Sequence, residues 1–403
     1  MSRHGPLHGI RVLDLTSVVL GPIATQILGD YGADVIKVES AEGDLMRANG
    51  VSRNPGMSSI FLAINRNKRS IALDLKHDEG RRLFLELAAS SDVLVHNMRI
   101  RPVNRLGLGY EDVRAVNPDI IYCAATGFGQ DGPHHARPAF DDIVQAASGL
   151  AELTGRPDGK PSYVPALIAD KTAGMAVVNA VLAALVHKER TGHGQYVEVP
   201  MFETMVEFNM AEHMGGLAFE PPAGAAGYGR IVNGGRRPVR SSDGYLAILP
   251  YNPVHWVRLL ERVGRPDLTA AYDLSDRSKL NDAVRHLYTE LDALAPSKTT
   301  AEWIAICHEL DIPATPIYGL DQLPEHPHLK AVGLFQVMEH PSEGRVRYVR
   351  PATRFGETPA TVRLPAPNLG EHTEAILADL GYSSAEIAVF RSKGIAKMVE
   401  STN

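Results

Sequence analysis

The chain has 403 residues, 44% hydrophobic and 22% charged, a globular balance that excludes a disordered or fibrous protein and points by length to two domains. Its 41 basic and 47 acidic side chains leave a net charge of −6, which gives no electrostatic case for nucleic acid or an anionic membrane as partner. Two cysteines, Cys123 and Cys307, exclude a disulfide scaffold and a four-thiolate zinc site and suit a reducing, cytoplasmic setting.

In chain order, Gly9 to Thr16 (GIRVLDLT) reads as a short buried strand. Gly21-Pro22 opens a helix that runs to about Tyr31, Gly32 ends it, and Asp34 to Glu39 (DVIKVE) is a second strand. Strand, helix and strand in so short a span form a βαβ unit with a right-handed crossover. The rhythm continues with a strand at Ser70 to Leu75, a helix at Asp78 to Ala89, and strands at Asp92 to Asn97 and Asp119 to Ala124. Between those last two strands, Arg105 to Arg114 reads as a turn and short helix. Such alternation argues for a doubly wound, Rossmann-like parallel sheet of α/β class.

Phe140 to Leu153 reads as one helix, and Asp170 to Glu189 as another whose apolar residues recur around the whole circumference, predicting deep burial. Within it, the apolar run Ala176 to Val186 is broken by Asn179 and is too short to span a bilayer. The first ten residues lack the apolar core of a signal peptide. Gly194 to Val199 is a strand and Met201 to Met214 a helix. From Glu220 the composition turns to proline and glycine, and Asn233-Gly234-Gly235 is a second flexible point. A new strand at Gly244 to Pro250 and helices near Val254 to Val263, Leu280 to Leu294 and Thr300 to Leu310 mark a smaller α+β domain. The tail holds strand-like pieces and one last helix, Glu371 to Leu380.

Several candidate sites fall to simpler readings. Glu39 stands where a ribose-binding acid would, but Ser17-Val18-Val19-Leu20-Gly21-Pro22 is no glycine fingerprint, and its side chains stand where a pyrophosphate needs bare backbone. His326-Pro327-His328 and His134-His135 lie between prolines as surface loops, so no metal site is expected. Cys123 ends an apolar strand and reads as packing. Asp170 stands between an apolar run and a small-residue helix. Locally it reads first as an N-cap, and second as a carboxylate held ionised at the positive end of a helix and able to act as a nucleophile.

An ordered set of segments then resembles the class III CoA-transferases, the family of L-carnitine dehydratase and bile-acid-inducible proteins, which includes formyl-CoA transferases and alpha-methylacyl-CoA racemases. These are GIRVLDLT with Gly21-Pro22, GADVIKVE, NRNKRSIALDLK, DVLVHN, RLGLGY, GFGQDGP, FDDIVQAASGL, IAD at Asp170, TGHGQYVEV and PAPNLGEHT. The resemblance implies a six-stranded parallel sheet in a large domain, an inserted small domain, and an interlocked homodimer. The expected boundaries are 1–224 for the first part of the large domain, 225–330 for the small domain, and 331–403 for the segment that returns. It further implies acyl-CoA and a carboxylic acid as substrates, with no permanently bound cofactor and no nucleic acid or membrane partner.

By the same resemblance, Asp170 is the catalytic aspartate, attacking the donor thioester to give a mixed anhydride and then an enzyme-bound CoA thioester. Backbone N–H groups near its helix start would hold the developing oxyanions. Val18, Val19 and Leu20 fall on the loop that contacts CoA. Leu73, Asp74, Leu75, Lys76, Asn97, Met98, Arg99 and Arg105 fall on adenine and phosphate contacts. Ser40 and Pro138 replace basic family residues, with Arg137 as a substitute for the second, and Asp141 keeps an acid that formyl-CoA transferases have as glutamate. Phe140 replaces the histidine of the racemases and cannot move a proton, which disfavours racemisation. Asn233-Gly234-Gly235-Arg236-Arg237 matches a glycine-rich lid, where Gly234, Gly235 and Arg236 form a substrate loop and Arg236 or Arg237 pairs with the acceptor carboxylate. A racemase or epimerase of the same family and a non-catalytic CoA-ester binder remain the alternatives.

Overall fold

The computed structural model describes residues 4–156, 159–232, 235–272, 274 and 277–398. Six parallel strands, β1 (Arg11–Leu15), β2 (Asp34–Glu39), β3 (Lys68–Leu73), β4 (Val93–His96), β5 (Ile121–Thr126) and β6 (Tyr196–Pro200), lie in the order β3-β2-β1-β4-β5-β6. A two-residue strand, Ala396–Lys397, adds antiparallel to the outer edge of β3, so the expected six-stranded sheet has seven strands. Side chains alternate between two covered faces, as parallel sheets require. Leu13, Ile36, Ile71 and Leu94 face the helix Asp78–Ala89 and the C-terminal helices. Val12, Val35, Val93 and Ile121 face the helices Leu20–Asp30 and Ile168–Thr191.

Three local expectations need correction. The helix expected over Phe140 to Leu153 is two helices, Asp141–Ala147 and Leu150–Gly155, broken where Gly149 takes φ +84°, a left-handed conformation suited to glycine. The tail carries a second helix, Ser384–Ser392, started by a capping box between Ser383 and Glu386. The helix Ile168–Thr191 is not deeply buried all round: Met175 and Val186 are 52% and 50% exposed in the single chain. At 24 residues it is long and apolar enough to cross a bilayer by length and composition, yet half of its most apolar window is buried, as in the core helix of a soluble fold.

The chain forms two compact units, Met1–Asn209 with Lys330–Asn403, and Met210–Leu329. The division at Met210 precedes the proline- and glycine-rich stretch because that stretch folds back on the helix Met201–His213. There the Gly216 N–H donates to the Ala225 carbonyl and the Gly227 N–H to that of His213. The tail is fastened within the first unit: the Arg363 guanidinium donates to the carbonyls of Gly29 and Ala33, and Thr373 Oγ1 accepts from the Ala72 N–H. The hairpin β10 (Phe335–His340) and β11 (Gly344–Val349) belongs to this unit.

The second unit has a core of its own. An antiparallel sheet of β7 (Val239–Arg240), β8 (Tyr245–Ile248) and β9 (Ala314–Pro316) is joined by the helices Pro253–Arg262, Arg277–Leu294 and Thr300–Glu309. Trp256, Leu259, Leu287 and Trp303 are buried among them.

Candidate active site

Ligands of doubly wound sheets bind beyond the carboxyl ends of the strands, where the strand order reverses. Here that point lies between β1 and β4. Asn97, just past β4, clamps the loop after β1: its Oδ1 accepts from the Ser17 N–H at 3.0 Å and its Nδ2 donates to the Ser17 carbonyl at 2.7 Å. The next residue, Val18, takes φ +69°, a costly conformation for a β-branched side chain. Its N–H donates to Asp44 Oδ1 at 3.1 Å.

A buried ionic network holds this loop from below. Lys37 Nζ donates to Asp44 and to the Thr16 carbonyl, each at 2.9 Å. Asp14 pairs with Lys68 at 2.9 Å and accepts from the Thr16 N–H at 3.0 Å. Burial alone would raise Asp14, but Lys68 and Lys37 overcome it and hold the carboxyl below its ordinary value. Burial prevails at Lys68, which is drawn down to about 8. Glu39 is no ordinary strand-end acid: it forms a buried pair with Arg47 at 2.7 Å and accepts from the Ser70 hydroxyl. These charges were missed as site supports, although the sequence carries a sign of them. Asp14 and Lys37 interrupt neighbouring apolar strands and are direct partners across the β1–β2 register.

Above the network opens a cleft of about 490 Å³, lined by Thr16, Ser17, the turn from Ser40 to Leu45, Leu73, Asp74, Leu75, Lys76 and Met98. Five of the residues matched to CoA contacts are therefore together. Asp74 and Lys76 are exposed, leaving Lys76 a cation at the mouth. Arg99 and Arg105 are also exposed, at the two ends of the helix Ile100–Arg105, and Arg99 Nη1 reaches the Ala136 carbonyl beside exposed Arg137. Val19 and Leu20 instead turn their side chains into the core, so their loop presents backbone and the half-buried Val18.

Asp170 lies in the first turn of the helix Ile168–Thr191 and is 9% exposed. The N-cap position belongs to Leu167, whose side chain makes no capping bond, so the reading of Asp170 as a cap is corrected. The expectation of a firmly ionised carboxylate changes too. Burial pushes Asp170 up to about 7, and the adjacent Asp141 charge adds to the rise. Asp141, buried at the start of its own helix, accepts from the Asp170 N–H at 3.0 Å through Oδ2 and from Gln145 Nε2 at 2.6 Å through Oδ1. Gln145 completes this support by accepting the Val164 N–H at 2.9 Å.

The expected oxyanion donors at the helix start are largely engaged. The N–H groups of Ile168, Asp170 and Lys171 donate to Ala166, Asp141 and Leu167. Gly174, one turn beyond Asp170, permits close packing against the helix that begins at Leu20. A Cβ there would lie 2.8 Å from the Leu20 carbonyl oxygen and 2.5 Å from Ile23 Cγ2. The carboxylate's helix is thereby pressed against the first turn of the helix that follows the strained loop.

His96, at the end of β4, was also overlooked. It is wholly buried, and burial draws it down to about 4 against the opposing effect of the Met98 backbone, so it is a neutral ring against Tyr122. Cys123 is buried and pushed up to about 12 by burial, consistent with packing. No group of three or more metal-ligating side chains occurs among the described residues. In the expected lid, Asn233 and Gly234 lie outside the described residues, Gly235 takes φ +66°, and Arg237 is paired with Asp292. Arg237 is thus engaged by a carboxylate of its own unit.

A doubly wound sheet with a cleft beyond the carboxyl ends of its strands, and a buried carboxylate on a helix packed beside the helix that follows the β1 loop, provides a ligand cleft and a candidate reactive group. The chain belongs to CoA-transferase family III, whose profile matches residues 7–373. It is similar to a probable fatty acyl-CoA transferase of Mycobacterium tuberculosis, at 33% identity over 93% of this chain and 98% of that protein. It is also similar to the succinyl-CoA:glutarate CoA-transferase of Mus musculus, at 34% identity over 98% and 91% of the two chains. The succinyl-CoA:mesaconate CoA-transferase of Haloarcula hispanica is 34% identical over 94% and 97%. The crystal structure of the mycobacterial relative superposes with a TM-score of 0.81 at 32% identity, over 93% of this chain and 100% of that one. The chain is accordingly a CoA-transferase.

Proposed function

We propose that this enzyme moves CoA from an acyl-CoA to a carboxylic acid through covalent intermediates on Asp170. The observation that carries the reading is a buried carboxylate whose helix packs, at Gly174, on the helix Leu20–Asp30, which directly follows the loop bordering the cleft. The ionised Asp170 attacks the donor thioester carbonyl; the C–S bond breaks, leaving a mixed anhydride and CoA thiolate. The thiolate attacks the aspartyl carbonyl and expels the donor acid as its carboxylate, which stores CoA as an enzyme thioester. The acceptor carboxylate then attacks that thioester, and the freed thiolate attacks the acceptor's acyl carbonyl. Acyl-CoA departs and Asp170 is regenerated with no net proton change. Splitting the exchange into displacements between species of similar acyl-transfer potential removes the need for a nucleotide.

Leu73 to Lys76, Met98 and the backbone of Val18 to Leu20 hold CoA in this reading, with Lys76, Arg99, Arg105 and Arg137 as the cations for its phosphates. The resemblance carries the interlocked homodimer, and the exposed Met175 and Val186 support a partner over the helix Ile168–Thr191. Light scattering at twice the chain mass tests it. Two buried free thiols fit a cytoplasmic enzyme.

Incubation with an acyl-CoA followed by mass spectrometry of the Asp170 peptide tests the chemistry. A CoA or acyl adduct on Asp170 supports transfer. Deuterium wash-in at the alpha carbon without an adduct would mean epimerisation, and binding with neither would mean a non-catalytic protein.

A further inference from the structure

The helix that carries Asp170 is entered through two tight turns in succession. The Ala166 N–H donates to the Val164 carbonyl and the Ile168 N–H to the Ala166 carbonyl, each at 2.7 Å. Each bond closes over a single intervening residue, and Leu167, with φ −72° and ψ 68°, has the angles of an inverse γ-turn. The central residue of the first turn is Pro165, whose ring holds φ near the value such a turn needs. Pro165, Ala166 and Leu167 are exposed in the single chain, so packing does little to fix this strap. A buried side chain, Gln145, holds it instead. Gln145 Oε1 accepts from the Val164 N–H at 2.9 Å, and Nε2 donates to the Val164 and Ala166 carbonyls, both at 3.4 Å.

The same amide reaches the other side of the site. Its Nε2 makes its shortest bond, 2.6 Å, to Asp141 Oδ1, and the second oxygen of that carboxylate accepts the Asp170 N–H at 3.0 Å. Asp141 and Gln145 stand one turn apart on the helix Asp141–Ala147 and so share a face. A neutral amide, donor at one end and acceptor at the other, suits this place. Turned over, it would set its carbonyl against the Asp141 carboxylate and its amino group against the Val164 N–H, so the contacts fix its orientation. A carboxylate there would repel Asp141, and an apolar group would strip a partner from both the Val164 N–H and Asp141. The helix Asp141–Ala147 has a separate anchor at its far end, where Asn209 Nδ2 donates to the Ser148 carbonyl at 3.0 Å.

We propose that Gln145 is a positioning residue for the nucleophile: it locks the strap and the Asp141 carboxylate together, and through them sets where the first helical turn presents Asp170. It touches no reacting atom, and the inference rests on the reading of Asp170 as the attacking group. Asp170 follows the strap directly within the first turn of its helix, so a rotation about Pro165 or Leu167 carries the carboxylate with it. A misplacement of about 1 Å costs an attacking group roughly a hundredfold in rate. Neither Gln145, Val164 nor Ala166 lines the cleft. The loss of Gln145 therefore acts on the covalent step and not on the affinity for CoA.

The test uses the full chain, rapid quenching and mass spectrometry to follow the Asp170 adduct formed from an acyl-CoA, and calorimetric binding of free CoA. Gln145→Leu should slow the maximal rate of adduct formation about tenfold or more, while the half-saturating acyl-CoA concentration and the Kd for CoA move less than about threefold. Gln145→Glu keeps the length and the acceptor for the Val164 N–H but loses the donor to Asp141, so it should be at least as slow. Because Gln145 acts partly through Asp141, the double change Gln145→Leu with Asp141→Ala should slow the step by less than the product of the two single effects. An unaltered rate in Gln145→Leu, or a Gln145→Glu variant as fast as the unaltered protein, would overturn the inference and leave Gln145 filling space. Single effects that multiply would overturn it too, as would a loss of CoA affinity in step with the rate, which would assign Gln145 to the general integrity of the fold. Turnover by the unaltered protein without any Asp170 adduct rejects the covalent reading and this inference with it. An adduct that forms equally fast with and without Gln145 rejects the role of Gln145 alone.

Discussion

Replacing Asp170 by Asn should abolish transfer and, at neutral to alkaline pH, make the protein more stable. A carboxyl raised from 3.8 to about 7 holds its proton more tightly in the folded than in the unfolded chain. Its contribution to stability is therefore most favourable below the unfolded value and is lost as pH climbs from about 4 to about 7, above which the penalty is constant. At 1.36 kcal/mol per pK unit, the ionised side chain costs the fold about 4 kcal/mol at pH 8 and about 2 kcal/mol at pH 5. Asn cannot ionise, so its advantage over Asp should grow by about 2–3 kcal/mol between those two pH values. Any difference in hydrogen bonding or fit between Asn and the protonated acid is independent of pH and cancels in that comparison. Urea denaturation of both proteins at pH 5 and pH 8 measures it. A stability difference that is flat between the two values, or that moves against Asn as pH rises, would refute the raised carboxyl and with it the idea that the site is destabilised for its chemistry.

The same carboxyl gives the rate of the first step a rising limb. With the donor acyl-CoA, kcat/KM should climb with pH toward a plateau above about 7, because only ionised Asp170 attacks. Asp141→Asn removes the neighbouring charge and should move that limb to lower pH, though not to the ordinary carboxylate range, since burial is the larger cause. A limb that stays in place would detach it from this pair. Asp44→Ala should destabilise by about 3–5 kcal/mol, the cost of stripping the partner from a buried cation, and should raise the KM for acyl-CoA by releasing the Val18 N–H. Urea denaturation and steady-state kinetics check both parts, and the double change Lys37→Met with Asp44→Leu should cost less stability than Asp44→Ala alone.

Much of the first unit was legible because its strands are short apolar runs ended by glycine, proline or a charge. β2 and the helix Asp78–Ala89 fall where the sequence puts them, residue for residue. Positions decided by distant contacts were less legible. The strand expected at Ser70 to Leu75 is Lys68–Leu73, because Lys68, polar enough to read as loop, is drawn inside by Asp14. The break at Gly149 was read through, since alanine and serine around it continue a helical pattern. At the candidate site, residue types were readable but not their electrostatics. A lone aspartate at a helix start suggests ionisation, and only the fold brings Asp141 and the surrounding burial against it.

The loop after β1 shows why the familiar glycine signature is absent. Glycines allow such a loop a left-handed backbone and a close approach to a ligand without a supporting structure. Here a valine takes the left-handed position, and four groups hold it: Asn97 on Ser17, Asp44 on the Val18 N–H, Lys37 on Asp44 and on the Thr16 carbonyl, and Asp14 on the Thr16 N–H. Conformational freedom is replaced by buried charge, so the information for the loop resides in the strands rather than in the loop itself. Charged residues at inward positions of β1, β2 and β3 look like errors in a core when the strands are read singly. With Asp14 and Lys37 partnered across the β1–β2 register and Lys68 reaching Asp14 from β3, they form the support on which a strained loop can be held in one conformation, and the cleft above it inherits that rigidity.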